Sequence, residues 1–301
     1  MQDIHLLDLK FQEAAEAIAS FLVETPEDGL LLIESGPEST HAQLEAAIRE
    51  KGFDPADVRH VLLTHIHFDH AGAAWKWAAR GAKVYVHPVG LPHLASPEKL
   101  WNSAAQIYGD DMERLWGSME PIAEEYLYAV SHEEVLQIGG LTIKALHTPG
   151  HAVHHVAYKL GDSIFTGDVA GVKIQAGPVV PPCPPPDIHI PDWKASIALL
   201  RQERPARLLL THYGEIQEVD AHLQALEAIL DDWAGWIKPH FDAGTNPAEI
   251  TPAFMAYTEG QLREKGCSDA LIQVYQYANP SWMSVAGLLR FWKLKASGRI
   301  L

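Results

Sequence analysis

Thr64-His65-Ile66-His67-Phe68-Asp69-His70-Ala71-Gly72 places three histidines and one aspartate within six residues. The run Val61-Leu62-Leu63 before it reads as a buried strand, and Ala71 to Arg80 after it is helix-compatible. The four polar side chains therefore fall on a loop between a strand end and a helix start. Carboxylate and imidazole groups packed that densely are costly to bury unless something pairs them. A divalent cation does so, and His with Asp suits zinc, iron or manganese. His65 and His67 are two apart, so an extended backbone points both to one side. Asp69 and His70 come where the chain turns and can face a second ion beside the first.

Three further strand ends carry candidate ligands. Leu141 to Leu146 reads as a strand leading into His147-Thr148-Pro149-Gly150-His151. Val156 to Leu160 and Ser163 to Phe165 read as a hairpin about Gly161-Asp162, followed by Thr166-Gly167-Asp168. Arg207 to Leu210 reads as a strand running into Thr211-His212-Tyr213-Gly214. His151, Asp168 and His212 thus share the placement of the first motif, at a strand end marked by Gly or Pro. That repetition predicts one rim of a sheet sandwich where several loops converge. Seven ligands exceed what one tetrahedral ion takes, and suit two ions sharing a carboxylate.

The rest of the chain is organised around that rim. Ile4 to Leu9 reads as a strand. Phe21 to Thr25 and Leu30 to Ile33 read as a hairpin turned by Asp28-Gly29. Ser39 or Thr40 is placed to cap a helix ending near Glu50. Lys83 to Val86 reads as a strand. Trp101, Tyr108, Met112, Leu115, Trp116 and Met119 recur at near-helical spacing. This stripe is either core or protomer interface, or a helical cap whose apolar face lines a substrate pocket. The proline-rich stretch 178–191 cannot be a helix interior or central strand, and reads as a stiff extended loop placed to wall the site. Trp193 to Gln202 reads as a helix. From Val219 the strands stop, and Val219, Leu223, Leu226, Ile229, Leu230, Trp233 and Ile237 form one helical stripe. Residues 251–265 and 280–295 read as further helices. The expected division is a catalytic domain over 1–215 and a helical extension over 216–301.

Composition limits the partners. The chain has 301 residues, of which 23 are basic and 39 acidic, for a net charge of −16 with histidine neutral. An acidic chain without a basic run is a poor nucleic-acid binder, which needs clustered Lys and Arg. No apolar run approaches the ~20 residues of a membrane span, and Met1-Gln2-Asp3-Ile4-His5 does not open like a signal peptide. Only Cys183 and Cys267 are present, which argues against a disulfide framework and for a cytoplasmic setting. The expectation is a small-molecule substrate, with no nucleic-acid or membrane partner. The apolar stripes of the tail suggest a homodimer.

The pattern His65-x-His67-x-Asp69-His70, followed by His151, Asp168 and His212, resembles the metallo-β-lactamase superfamily of metallohydrolases over roughly residues 1–215. The pairing of Asp69 with His70 is most similar to the glyoxalase II and lactonase branch. The resemblance implies an α/β fold, a four-layer αββα sandwich with its site at one edge and a C-terminal helical extension. It implies that His65, His67 and His151 hold one metal, that Asp69, His70 and His212 hold the other, and that Asp168 bridges. Two features depart from the family. Glu34 stands in Ile33-Glu34-Ser35-Gly36 where an Asp-containing turn is usual, and Val169-Ala170-Gly171-Val172 lacks the tyrosine that lactonases carry after the bridging aspartate.

The chemistry so implied is hydrolysis of an ester, thioester or lactone by a hydroxide shared between two divalent ions, zinc foremost, with iron or manganese as alternatives. Asp69 would also act catalytically, orienting the nucleophile and carrying a proton. Tyr213, beside a ligand, and His155, four residues after His151, are the candidate substrate contacts, with His154 the neighbouring alternative. Two other reactions fit the same scaffold: an iron-dependent persulfide dioxygenase-like oxidation, and hydrolysis of a small phosphodiester.

Overall fold

The computed structural model describes residues 3–300. Two six-stranded sheets stack face to face. The first takes β1 (Ile4–Asp8), β2 (Ala19–Glu24), β3 (Leu30–Ile33), β4 (Val58–Leu62), β5 (Lys83–Val86) and β6 (Leu127–Ala129) in sequence order. The second takes β7 (Val135–Ile138), β8 (Leu141–His147), β9 (Val156–Leu160), β10 (Ser163–Phe165), β11 (Arg207–Leu210) and β12 (Gly214–Ile216), again in order. The expected hairpin is present, with Glu24 paired to Leu30 across a turn in which Gly29 takes φ 67°. β3, β4 and β5 run parallel, so their connections cross over outside the sheet, where helices cover it.

Side-chain alternation builds the layers. Phe21, Val23, Leu31 and Ile33 meet Val156, Tyr158, Phe165 and Leu209 in the core between the sheets. Their neighbours Leu22, Leu32, Ala157, Leu208 and Leu210 point the other way, into the core beneath the helices. The period of two thus sorts each strand into an inter-sheet face and a helix-covered face. The result is the four-layer sandwich expected.

On the first sheet lie α1 (His41–Glu50), α2 (Phe68–Ala71) and α3 (Ala74–Ala78), followed by α4 (Leu91–Ala95), α5 (Glu98–Tyr108) and α6 (Met112–Trp116). The helix expected over 71–80 starts earlier and is broken. His67 stands just before α2, and Asp69 and His70 lie within its single turn. A Cβ at Gly72 would collide with the Phe68 carbonyl of its own turn and crowd the Pro37 and Glu38 backbone, and Ala73 N–H bonds Gly36 instead. Thr40 does not cap α1; its hydroxyl donates to Pro37.

α7 (Ile190–Gln202) packs on the second sheet and clamps two of the rim loops. Ser196 donates to Pro149 at 2.6 Å, and the Trp193 indole donates to Val169 at 2.7 Å. α8 (Val219–Ala243), α9 (Pro247–Glu264), α10 (Asp269–Ala278) and α11 (Ser281–Ala296) form the tail. α10 was not expected. The stripe of α8 is spent within the chain: Leu226, Leu230, Trp233 and Ile237 share a core with Leu288 and Phe291 of α11, with Val180 of the proline-rich region and with Val172 before it. No helix among the described residues is long and apolar enough to cross a membrane.

The proline-rich loop is pinned by this tail. Ser284 accepts from Cys183 N–H, Asn279 donates to Pro181, and Arg290 donates to Pro186 at 2.7 Å. The Tyr275 hydroxyl donates to Pro178 and accepts from Ile174 N–H.

Candidate metal centre

All seven residues singled out in the sequence converge at one end of the sandwich. Their side chains form two groups, His65, His67, His151 and Asp168 in one, Asp69, His70 and His212 in the other. Within the first, His67 Nδ1 lies 3.0 Å from His65 Nε2 and 3.1 Å from His151 Nε2. Zinc–nitrogen bonds of about 2.0–2.1 Å set tetrahedral ligand atoms about 3.3 Å apart, close to this spacing. Asp168 joins the groups. Its Oδ2 is 3.2 Å from His151 Nε2, and its Oδ1 is 3.3 Å from His70 Nε2 and 3.4 Å from His212 Nε2. Asp69 Oδ2 lies 3.4 Å from His212 Nε2 and 3.6 Å from His70 Nε2.

The far ring nitrogens fix the tautomers. His151 Nδ1 donates to Pro182 at 2.8 Å, and His212 Nδ1 donates to Ala17 at 2.7 Å. A carbonyl only accepts, so both Nε2 atoms keep a lone pair facing the centre. His70 Nδ1 is held at 3.0 Å by Glu34 Oε1. His65 Nδ1 is 3.0 Å from the Thr64 hydroxyl, which itself donates to Glu34. Glu34 is fully buried and also receives Thr64 N–H at 3.2 Å. It stands at the end of β3 with φ 64°, a left-handed conformation costly for a side-chain residue and typical of functional positions. The sequence offered Glu34 only as a departure from a pattern; in the structure it orients two imidazoles.

His70 Nε2, His212 Nε2 and Asp168 Oδ1 are buried without a hydrogen-bond partner. Asp168 Oδ1 lies within ion-pair distance of both nitrogens but makes a hydrogen bond with neither. Three orphaned polar atoms in one place are costly, and a cation among them satisfies all three. Electrostatics agree. Burial depresses His67 to about 3, helped by His151, and burial with the neighbouring histidines holds His65 well below the usual range. Those rings are neutral ligands. Burial also opposes charge on His70, but Asp69, Asp168 and Glu34 outweigh it and raise the ring well above its ordinary value. His212 is raised likewise by Asp168 and Asp69 against burial. Burial works against both carboxylates, yet His70 and its neighbours hold Asp168 well below the usual range and lower Asp69. This corner of the site favours positive charge.

A cavity of about 640 Å³ opens above the cluster, with His67, Asp69 and Asp168 on its floor. His155 is not on its wall. That ring is fully buried beneath Asp168: its Nδ1 donates to the Thr148 hydroxyl at 2.8 Å and its Nε2 accepts Asp168 N–H at 3.2 Å. His154 takes the wall position instead. Tyr213 is also absent from the wall; it packs against the cores of both sheets, and burial, with Asp8 and Glu16 nearby, pushes its phenol up. Tyr108, Leu115 and Trp116 of the aromatic stripe line the cavity, as the cap reading expected, and Trp282 and Met283 of α11, which the sequence did not mark for the site, join them. The proline-rich loop walls it through Pro182 and Pro184 to Pro186.

A family model described as the metallo-beta-lactamase superfamily matches residues 15–212. The chain belongs to the metallo-β-lactamase superfamily. It is a metal-dependent hydrolase of that class, whose members bind divalent ions at such His/Asp clusters. The metallo-beta-lactamase fold-containing protein ST1585 of Sulfurisphaera tokodaii is 29% identical over 218 residues, covering 68% of this chain and 80% of that one. A hydroxyacylglutathione hydrolase of Rhodopseudomonas palustris is 29% identical over 150 residues, covering 49% of this chain and 46% of that protein. The metallo-beta-lactamase family protein TTHA1429 of Thermus thermophilus superposes over 98% of this chain and 94% of its own, with a TM-score of 0.64 at 19% identity. The shared fold therefore extends into the helical tail.

Proposed function

We propose that this metallo-β-lactamase superfamily member is a dinuclear hydrolase of a small-molecule ester, thioester or lactone. The observation that carries the reading is Asp168, whose two carboxylate oxygens face two separate groups of histidine nitrogens. One ion would be held by His65, His67 and His151, the other by Asp69, His70 and His212, with Asp168 between them. The hydroxyacylglutathione hydrolase relative supports a thioester among the substrates. Zinc is the ion this donor set suits first, with iron and manganese compatible.

Such a pair of ions, when bound, lowers the pKa of water and polarises a carbonyl oxygen. The chain's own residues do the rest. Asp69 reaches the cavity floor in its ionised form, as His70 and His212 keep its pKa low. It is placed to accept the proton of an attacking water and return it to the leaving group. His154 lines the wall beside His67, their ring centroids 5.7 Å apart, and supplies a polar contact for the substrate. The apolar walls exclude bulk water from the scissile bond.

The test combines metal content per chain with rates on thioesters, esters, lactones and phosphodiesters. The expected result is two ions and chelator-sensitive cleavage of carbonyl substrates, with Asp168→Ala losing metal and turnover together. One iron per chain with oxygen uptake on a persulfide and no hydrolysis overturns the reading. So does cleavage confined to phosphodiesters, or full activity in Asp168→Ala.

A further inference from the structure

The cavity's walls are more informative than its floor. They come from three separate parts of the chain: α5 and α6, the proline-rich loop, and the junction of α10 with α11. All three contribute apolar surface. The Tyr108 ring lies edge-on to Trp116 at 5.2 Å and to Trp282 at 6.4 Å, and among the described residues its hydroxyl hydrogen-bonds the Met283 thioether, at 3.2 Å. A thioether is a weak acceptor, so this joint between cap and tail is essentially hydrocarbon and aromatic.

The mouth is apolar too. Val89, Ile107 and Val153 are 49%, 42% and 49% exposed, and all three border the cavity. Single exposed apolar residues need no explanation, but three around one opening form a patch. The charged residues of the walls are Lys99, Asp111, Arg114 and Asp187, set among mostly apolar ones. Arg114 is occupied by Asp111 and Gln12, and Lys99 is solvent-exposed. Among the described residues no wall lysine or arginine is buried, so no fixed cation inside the chamber stands ready for a carboxylate or phosphate on the substrate. The volume of 640 Å³ falls within the range of about 300–1,000 Å³ that encloses a drug-sized ligand, far more than an acetyl group needs.

We propose that the chamber selects substrates whose non-reacting part is a bulky, uncharged hydrocarbon group, held between α5, the proline-rich loop and the α10–α11 junction while the scissile carbonyl rests on the floor. This rests on the hydrolase reading for its chemistry, but not for its binding. Each buried methylene strengthens transition-state binding by up to about fourfold.

Two measurements test it. The first compares kcat/KM for acetyl to octanoyl thioesters of one small thiol, and for methyl to octyl esters of one short acid. The expected result is a rise of at least about tenfold along one series, with Ile107→Glu and Trp282→Ala each lowering the octanoyl-to-acetyl ratio. The second titrates octanamide against acetamide into metal-free protein by calorimetry, with binding only of the former and a negative heat-capacity change. Hydrolysis of short and long substrates at equal kcat/KM overturns the inference and leaves the hydrolase standing. Octanamide binding without hydrolysis of any ester supports the inference while the hydrolase reading fails. No octanamide binding, together with no chain-length preference, refutes it outright.

Discussion

Replacing Glu34 with glutamine tests whether the cluster's geometry is imposed from behind. The Glu34 carboxylate receives only donors: Thr64 N–H at 3.2 Å, the Thr64 hydroxyl, His70 Nδ1 at 3.0 Å and the Thr211 hydroxyl at 3.4 Å. Glutamine is nearly the same size but has one acceptor oxygen, so its amide N–H would face another donor. If the amide oxygen stays with His70 and Thr64, Thr64 N–H loses its partner. In the opposite orientation His70 loses its own. Either way a buried donor is left unpaired and the charge behind His70 disappears. Removing such a support typically costs a metal site about 10–100-fold in affinity, or about 1.4–2.7 kcal/mol. Glu34→Gln should therefore bind the ion of the Asp69, His70 and His212 group about 10–100-fold more weakly, and lose it first. The assay is competition against a colorimetric chelator, with circular dichroism to show an intact fold. Binding of both ions with affinity within twofold of the parent, in a folded variant, refutes the reasoning.

Other tests bear on the scaffold. Burial depresses His41 to about 4, with Glu45 only partly compensating, so its proton is bound more tightly by the unfolded chain, where the ordinary value is 6.5. Its stabilising contribution is therefore present above pH 6.5 and lost as pH falls towards 4, by about 2 kcal/mol between pH 7 and 5. Chelator-treated His41→Leu should lack that part of the loss in urea midpoints, and equal slopes in both proteins would contradict it. Gly150 takes φ 130° against the backbone of Trp193, where a Cβ would collide. Gly150→Ala should cost about 2 kcal/mol or more and displace His151, read as a lower melting temperature and reduced metal content. Stripping metal from the parent protein should lower its melting temperature by roughly 10 °C where free metal exceeded Kd by about 1,000-fold; an unchanged melt would mean that the ions contribute nothing to the fold.

The ligands were legible because residue type and position coincide: His and Asp at strand ends, each with a Gly or Pro close by in the sequence. The sheets were legible because alternation and a Gly turn are local signals. What escaped was set by contacts remote in the chain. Tyr108 and Met283 touch across 175 positions, and no periodicity records such a meeting. His154 and His155 are adjacent, and only the path of an irregular loop decides which faces the cavity and which sits under Asp168. Glu34 hides for another reason: a lone acidic residue after an apolar strand looks like a strand end, while its role depends on a left-handed backbone and on donors that follow β4 and β11. α10 does carry a local signal, since Ser268 caps it by accepting from Leu271 N–H. The break between α2 and α3 goes with Ala73 N–H bonding Gly36, a partner remote in the chain.

The brace on the proline-rich loop has a consequence for biosynthesis. The carbonyl of Pro182, which sets the His151 ring, belongs to a loop whose neighbours Pro181 and Cys183 are fastened by Asn279 and Ser284. A ribosome makes those fasteners long after it has made every one of the seven metal-facing side chains. Until they emerge, His151 has its donor but no anchored acceptor, so a nascent chain carries the ligands without the rigid frame that selects an ion. A chain that stops before Asn279 lacks both fasteners and leaves the acceptor of His151 without that brace.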